Sequence, residues 1–160
     1  AIPGEDALLD TSILNMAQNK LFRKKLFDDV QYPIGYYYED RATTYRLFYK
    51  SSKISFVNES LFFYLQRENS ITRGLNNQKL QDPLKILGEI KAFLLQKGIY
   101  DKYQHKYIQN YLLAILSSSV QIANYSDDYE KDIGNYLHSS NYLNFNIKEL
   151  FFLQFEFHLV

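Results

Sequence analysis

Residues 19–72, NKLFRKKLFDDVQYPIGYYYEDRATTYRLFYKSSKISFVNESLFFYLQRENSIT, decide how this chain is read. Asn19–Leu21 is short and suits an extended backbone, and Arg23–Asp29 has the length of one or two helical turns. Tyr32-Pro33-Ile34-Gly35 breaks that helix, because the residue before a proline is pushed out of the α region and glycine admits unusual dihedrals. The spacing of Ala42, Tyr45, Phe48 and Tyr49 predicts a helix over Asp40–Lys50 with those four on one face. Asp40 stands where its N-cap would be and Glu39 just before it, at the end of the helix dipole that favours negative charge. Lys53–Val57 (KISFV) and Ser60–Gln66 (SLFFYLQ) are β-rich and joined by Asn58-Glu59, which predicts neighbouring strands or a hairpin.

Working outward, Ala1–Gln18 carries Leu8, Leu9, Ile13, Leu14 and Met16 at spacings that predict a short amphipathic helix. On the other side, Arg73-Gly74-Leu75-Asn76-Asn77 has loop composition and marks a boundary between residues 1–75 and residues 76–160. Beyond it every segment reads as helix. Asp82-Pro83 supplies a cap and a first-turn proline, followed by the stripe Leu84, Leu87, Ile90 and Leu94 and a stop at Gly98. A second helix starts at Asp101, with Tyr107, Ile108, Tyr111, Leu112, Ile115 and Leu116 on its apolar side. A third spans Asp128–Leu137. A fourth begins at Asn146, where Glu149 completes a capping box and Phe145 and Leu150 are placed for a hydrophobic staple. In Leu150–Val160 (LFFLQFEFHLV), Phe155, Phe157 and Leu159 alternate, whereas Phe151, Phe152 and Phe155 suit a helix. Burial against the bundle is the plain reading of that segment; covering a further part of the protein outside this chain, contact with another subunit or a membrane surface are the alternatives.

Composition limits the function classes. Hydrophobic residues make up 46% and charged residues 22% of the 160, a globular rather than a disordered balance. Lys and Arg together equal Asp and Glu at 18 each, so charge gives no reason to expect nucleic acid as a partner. The absence of cysteine excludes disulfides and thiolate metal sites and fits a reducing compartment. No apolar run approaches the ~20 residues that span a bilayer, and no signal-peptide pattern is read at the start. His105, His138 and His158 are too widely spaced for a metal-ligand pattern. The chain is rich in aromatic residues, with 15 Tyr and 12 Phe but no Trp. Tyrosine packs its ring in a core while its hydroxyl meets water or a polar ligand, so core is the default reading for each, and a sugar contact is the special one.

Three blocks lie in order along residues 19–72: Asn-Lys-Leu-Phe with a basic helix (Asn19–Phe27), the Tyr-Glu-Asp turn (Tyr38–Asp40), and Tyr-Leu-Gln-Arg-Glu-Asn-Ser-Ile (Tyr64–Ile71). In this the chain resembles the second half of the catalytic domain of bacterial family 2 glycosyltransferases, enzymes of the GT-A fold. The resemblance covers about the first 75 residues and extends to the helical remainder only in general character. It implies an α+β, mostly α protein: the C-terminal half of a GT-A-like α/β domain, with a short strand pair plus helices in residues 1–75, followed by a helical bundle extension in residues 76–160. It also implies that the nucleotide-binding half lies outside this chain, which by itself transfers no sugar.

In such enzymes the Asp of the Glu-Asp motif is the catalytic base, and the matching residue is Asp40. A carboxylate beside the acceptor hydroxyl takes its proton as the oxygen attacks the anomeric carbon opposite the departing nucleotide. A helix N-terminus would keep that carboxylate ionised at neutral pH; the plain alternative is an N-cap aspartate worth about 0.5–2 kcal/mol of helix stability. Glu39 orients the turn, contacts an acceptor hydroxyl, or is a solvated first-turn acid. Arg67 is placed by the resemblance beside the donor diphosphate, where a guanidinium neutralises the leaving group, or is a surface arginine paired with Glu68. Lys20 is expected near the acceptor or the sheet edge, and Tyr36, Tyr37 and Tyr38 as one wall of an acceptor pocket.

No cofactor is expected on this chain, which has Asp28-Asp29 and Asp127-Asp128 but no Asp-x-Asp; a divalent metal (Mn or Mg) and a nucleotide sugar are implied for the complete enzyme. The implied partners are a glycan acceptor and a second copy covering an incomplete sheet. The implied location is the cytoplasm, at the inner face of the plasma membrane for a lipid-linked acceptor. Two other classes remain beside the transferase: a non-catalytic helical protein-interaction module and a glycan-binding module without chemistry.

Overall fold

The computed structural model describes residues 1–65 and 76–139, and all regular elements among them are helical. A 3-10 turn at Lys24–Phe27 precedes α1 (Glu39–Lys50), α2 (Asn77–Gln96), α3 (Tyr100–Tyr125) and α4 (Tyr129–Ser139). This overturns the predicted α+β architecture with a GT-A-like strand pair. Lys53–Val57 and the described part of Ser60–Gln66 form no strand. Only Ile54 pairs, in an isolated antiparallel bridge to Ile2 with both N–H···O distances at 2.8 Å. The physical reason is that β propensity measures fit to a pleated, half-buried surface, and a lone strand pair is marginal in water. Phe56, Val57 and Leu61 to Leu65 are instead exposed, Phe63 at 91%.

The chain divides into two compact units, residues 1–73 and 74–160. The first unit is organised around α1, which packs against the 3-10 turn. Ala42, Tyr45 and Phe48 are buried as predicted, and Tyr49 is half-buried. Thr43, Thr44 and Leu47 are buried as well, so α1 is covered on nearly every side. Buried threonines need partners. Thr43 Oγ1 donates to the Glu39 carbonyl at 2.8 Å, one turn back, and Thr44 Oγ1 to the distant Asn15 carbonyl at 3.1 Å.

The amphipathic helix expected in Ala1–Gln18 is absent. Successive turns take its place, closed by Asp6 N–H to Pro3 O, Leu8 N–H to Glu5 O and Asp10 N–H to Ala7 O at 3.1–3.2 Å. Leu9 is left-handed at φ 58°, and the Asp10 carboxylate accepts from the Ser12 amide and hydroxyl, both of which stop a helix from propagating. These turns still bury Ala7, Leu8 and Leu9.

In the second unit α3 packs against both α2 and α4. Helix α2 begins before Asp82-Pro83. The Asn76 side chain caps it, accepting from the amides of Gln78 (2.9 Å) and Lys79 (3.2 Å), and Pro83 sits inside the helix. Proline there forgoes the bond to the Lys79 carbonyl, while the Asn76 cap stabilises the helix start about two turns earlier. The predicted stop is present: Gly98 is left-handed at φ 66°, with Ile99 N–H bonded to Leu94 O and Gly98 N–H to Leu95 O, both at 3.0 Å. Leu87, Ile90 and Leu94 are buried and Leu84 half-buried. The predicted fourth helix from Asn146 and the segment Leu150–Val160 lie outside the described residues.

Candidate active site at the start of helix α1

Two stretches of the first unit meet here. One is the turn through Leu14–Lys20, which folds around the Lys20 ammonium: Nζ donates to the carbonyls of Leu14 and Met16 (2.8 Å to Met16) and to Asn19 Oδ1 at 2.7 Å. The other is Gly35–Arg41, which must reverse direction before α1. Gly35 takes φ 81° without cost, but Tyr38 is also left-handed at φ 62°, a conformation that costs a non-glycine residue about 1–2 kcal/mol. The Tyr38 carbonyl accepts the first helical bond, from Ala42 N–H at 3.2 Å. The Thr44–Asn15 bond ties the first stretch to α1, into which the second leads.

Tyr38 therefore occupies the N-cap position, without a side-chain cap, and Asp40 is the second helical residue. This corrects the N-cap placement of Asp40. Its Oδ1 accepts the Arg41 amide at 2.7 Å from inside the first turn. Burial raises the Asp40 pKa above the ordinary aspartate value, and the neighbouring Glu39 charge adds to the rise. The amide bonds and the Lys20 cation act the other way without overcoming it. Loss of water, rather than the helix N-terminus expected from the sequence, is the controlling influence on this carboxylate. A carboxylate with raised proton affinity is a stronger general base.

The surroundings respond in kind. Burial lowers the Lys20 pKa against the opposing pull of Asp40. Arg41 is lowered by burial, opposed by Asp40 and Tyr38. The Tyr32 phenol is raised, first by burial and then by the charges of Asp40 and Glu39, so it stays protonated as a hydroxyl donor. Its ring lies 6.0 Å from Phe27, which meets Phe22 edge-on at 5.8 Å.

The fold thus brings Lys20, Tyr38, Glu39 and Asp40 to one place, with Glu39 exposed and the other three half-buried. Arg67 and the rest of Gln66–Ser70 lie outside the described residues. Tyr32 and Arg41 went unread as site residues. Tyr32 carried only the signal of preceding a proline, and Arg41 that of following an acidic pair; burial gives each its place. Among the described residues no group of three or more His, Cys, Asp or Glu is arranged to hold a metal, and Asp29 pairs instead with Lys50. The carboxylates among the described residues do not fit a divalent-metal site. Among the described residues no helix is long and apolar enough to cross a membrane.

Comparison with known proteins gives two matches to glycosyltransferases of Streptococcus pneumoniae serotype 4. The chain is 41% identical to glycosyltransferase GlyG over 54 residues, 34% of this chain and 18% of GlyG. It is 24% identical to glycosyltransferase GlyA over 111 residues, 69% of this chain and 16% of GlyA. The chain thus spans less than a fifth of the length of the curated relatives it matches. No family model and no solved structure matches it. The two matches relate the chain to glycosyltransferases.

Proposed function

We propose that this chain is the acceptor side of a longer, inverting glycosyltransferase of family 2, with Asp40 as its general base. The observation that carries this reading is the Asp40 carboxylate, drawn partly out of water at the start of α1 in a chain related to glycosyltransferases. The acceptor hydroxyl gives its proton to Asp40 as its oxygen bonds to the anomeric carbon. The bond from that carbon to the nucleotide diphosphate breaks, and the leaving oxygen keeps the electron pair. Lys20 helps keep Asp40 ionised until the acceptor arrives, and Tyr32, Tyr38 and Glu39 border the acceptor. In this reading the nucleotide sugar and its metal, Mn or Mg, bind to the rest of the enzyme, with Arg67 on the leaving diphosphate. The acceptor is a surface polysaccharide, a glycoprotein glycan or a lipid-linked precursor, reached from the cytoplasm or the inner face of the plasma membrane.

The test is Asp40→Asn in the longest gene product that contains this chain. Transfer is expected to be abolished with the far-UV circular dichroism unchanged; near wild-type turnover would remove Asp40 from the mechanism. The 160-residue chain alone is expected to turn over no nucleotide sugar, and measurable turnover would place donor binding within it.

One observation favours an interaction role alongside catalysis. Phe56, Val57 and Leu61 to Leu65 form an exposed apolar run, the kind of surface that soluble proteins seldom leave bare. We assign it to self-association.

A further inference from the structure

The second unit contains a cleft of about 370 Å³ where the start of α2, the end of α3 and α4 come together. Its floor is apolar: Leu80, Ile122 and Tyr136 form one buried cluster, against which Leu84, Ile133 and Leu137 pack. Its rim is polar and exposed, with Asn77 and Gln81 from α2 facing Asp132 and Asn135 from α4. The Asp132 carboxylate is held in place, because the Ser126 hydroxyl donates to Oδ2 at 2.6 Å while its oxygen accepts the Asp128 amide at 3.1 Å.

This division of chemistry selects a ligand class. A pyranose ring has C–H faces that suit an apolar floor and a belt of hydroxyls that each donate and accept. Asn and Gln present a donor and an acceptor side by side, and a carboxylate accepts twice, so neighbouring hydroxyls can be met in pairs. A phosphate or nucleotide would want cationic or clustered amide donors, and among the described residues no Lys or Arg lines the cleft. The volume lies at the lower end of the ~300–1,000 Å³ typical of small-molecule sites, which suits one or two sugar rings.

We propose that this cleft is a saccharide subsite for a neutral one- or two-ring glycan segment. Saccharide binding stands on the cleft itself; that the bound segment belongs to the acceptor rests on the glycosyltransferase reading above. A subsite built on α2 and α4 would let one enzyme choose acceptors by features other than the reacting hydroxyl.

The experiment titrates the full 160-residue chain with cellobiose, lactose and N,N′-diacetylchitobiose, following the side-chain amide resonances of Asn77, Gln81 and Asn135 by 15N NMR. At least one disaccharide should move these resonances saturably in the millimolar range. Asn135→Ala and Asp132→Ala should each weaken binding about tenfold or more, with circular dichroism confirming that α4 is kept. No response to any of the three sugars overturns the subsite, and so does an equal response in wild type and both variants. Asp40→Asn should bind the disaccharide like wild type. If the longest gene product containing this chain still transfers sugar with Asp40→Asn while the cleft binds, the base assignment fails and the subsite stands; if its transfer is lost and the cleft is silent, the subsite fails and the base stands.

Discussion

The Thr44 hydroxyl donates to the Asn15 carbonyl at 3.1 Å, across 29 positions of sequence. Thr44 is fully buried on α1, and Asn15 belongs to the turn that holds Lys20, so this bond fixes the lysine-bearing coil against the helix that carries Asp40. Thr44→Val keeps the shape and removes the donor. It should lower stability by about 1–3 kcal/mol, read as a lower urea midpoint at unchanged slope. An unchanged midpoint would mean that the bond contributes nothing to holding the site together.

Gly4 is buried against the end of α1, where an added Cβ would overlap the carbonyl oxygens of Phe48 and Ser51. These are backbone atoms that cannot turn aside. Gly4→Ala should therefore cost about 1–3 kcal/mol. Gly88, exposed within α2, has nothing within 4 Å of an added Cβ, and Gly88→Ala should stabilise by about 0.5–1 kcal/mol. Thermal melts of the two variants should move in opposite directions, and a shared direction would contradict the packing described for Gly4.

Asp40 also gives stability a signed pH dependence. Its pKa is 3.8 in the unfolded chain and higher in the folded one. Between those values the folded chain binds more protons than the unfolded chain, so this contribution to stability falls as pH rises through the window and is level above it. Relative to Asp40→Asn, wild type should lose stability as pH is raised from 3.8, measured by urea unfolding at stepped pH. A relative gain would instead indicate a carboxylate that finds a strong partner on folding.

Local patterns carried the helices of the second unit, because the features that decide them are short-range. Leu87, Ile90 and Leu94 repeat at helical spacing, and Gly98 offers the left-handed residue that ends α2. The start of α2 was misplaced because Asp82-Pro83 is a strong boundary signal in isolation, while the Asn76 cap acts from a stretch that reads as loop. The strand pair failed for a different reason: residues 53–66 have strand composition, but composition cannot supply a neighbouring strand. At the site, Tyr38, Glu39 and Asp40 are contiguous, and Lys20 was drawn in by the resemblance. Tyr32 and Arg41 were missed, and the influence that dominates Asp40 was misjudged, because burial is a tertiary property.

The exposed run from Phe56 to Leu65 should drive self-association. Light scattering behind a sizing column, over a range of concentrations, should show species larger than the monomer. Replacing Phe63 and Leu65, 91% and 74% exposed, with serine should return the chain towards monomer without changing its helix content. A wild-type chain that remains monomeric at every concentration would contradict this.

The pH dependence of kcat/KM in the longest gene product containing this chain tests the role of Asp40 most directly. Activity should rise with pH through an inflection above the ordinary aspartate value of 3.8, and Glu39→Gln, which removes a neighbouring negative charge, should move that inflection down. Asp40→Asn should leave no activity in which to see it. An inflection that Glu39→Gln does not move, or an Asp40→Asn enzyme that still transfers sugar, would contradict Asp40 as the base.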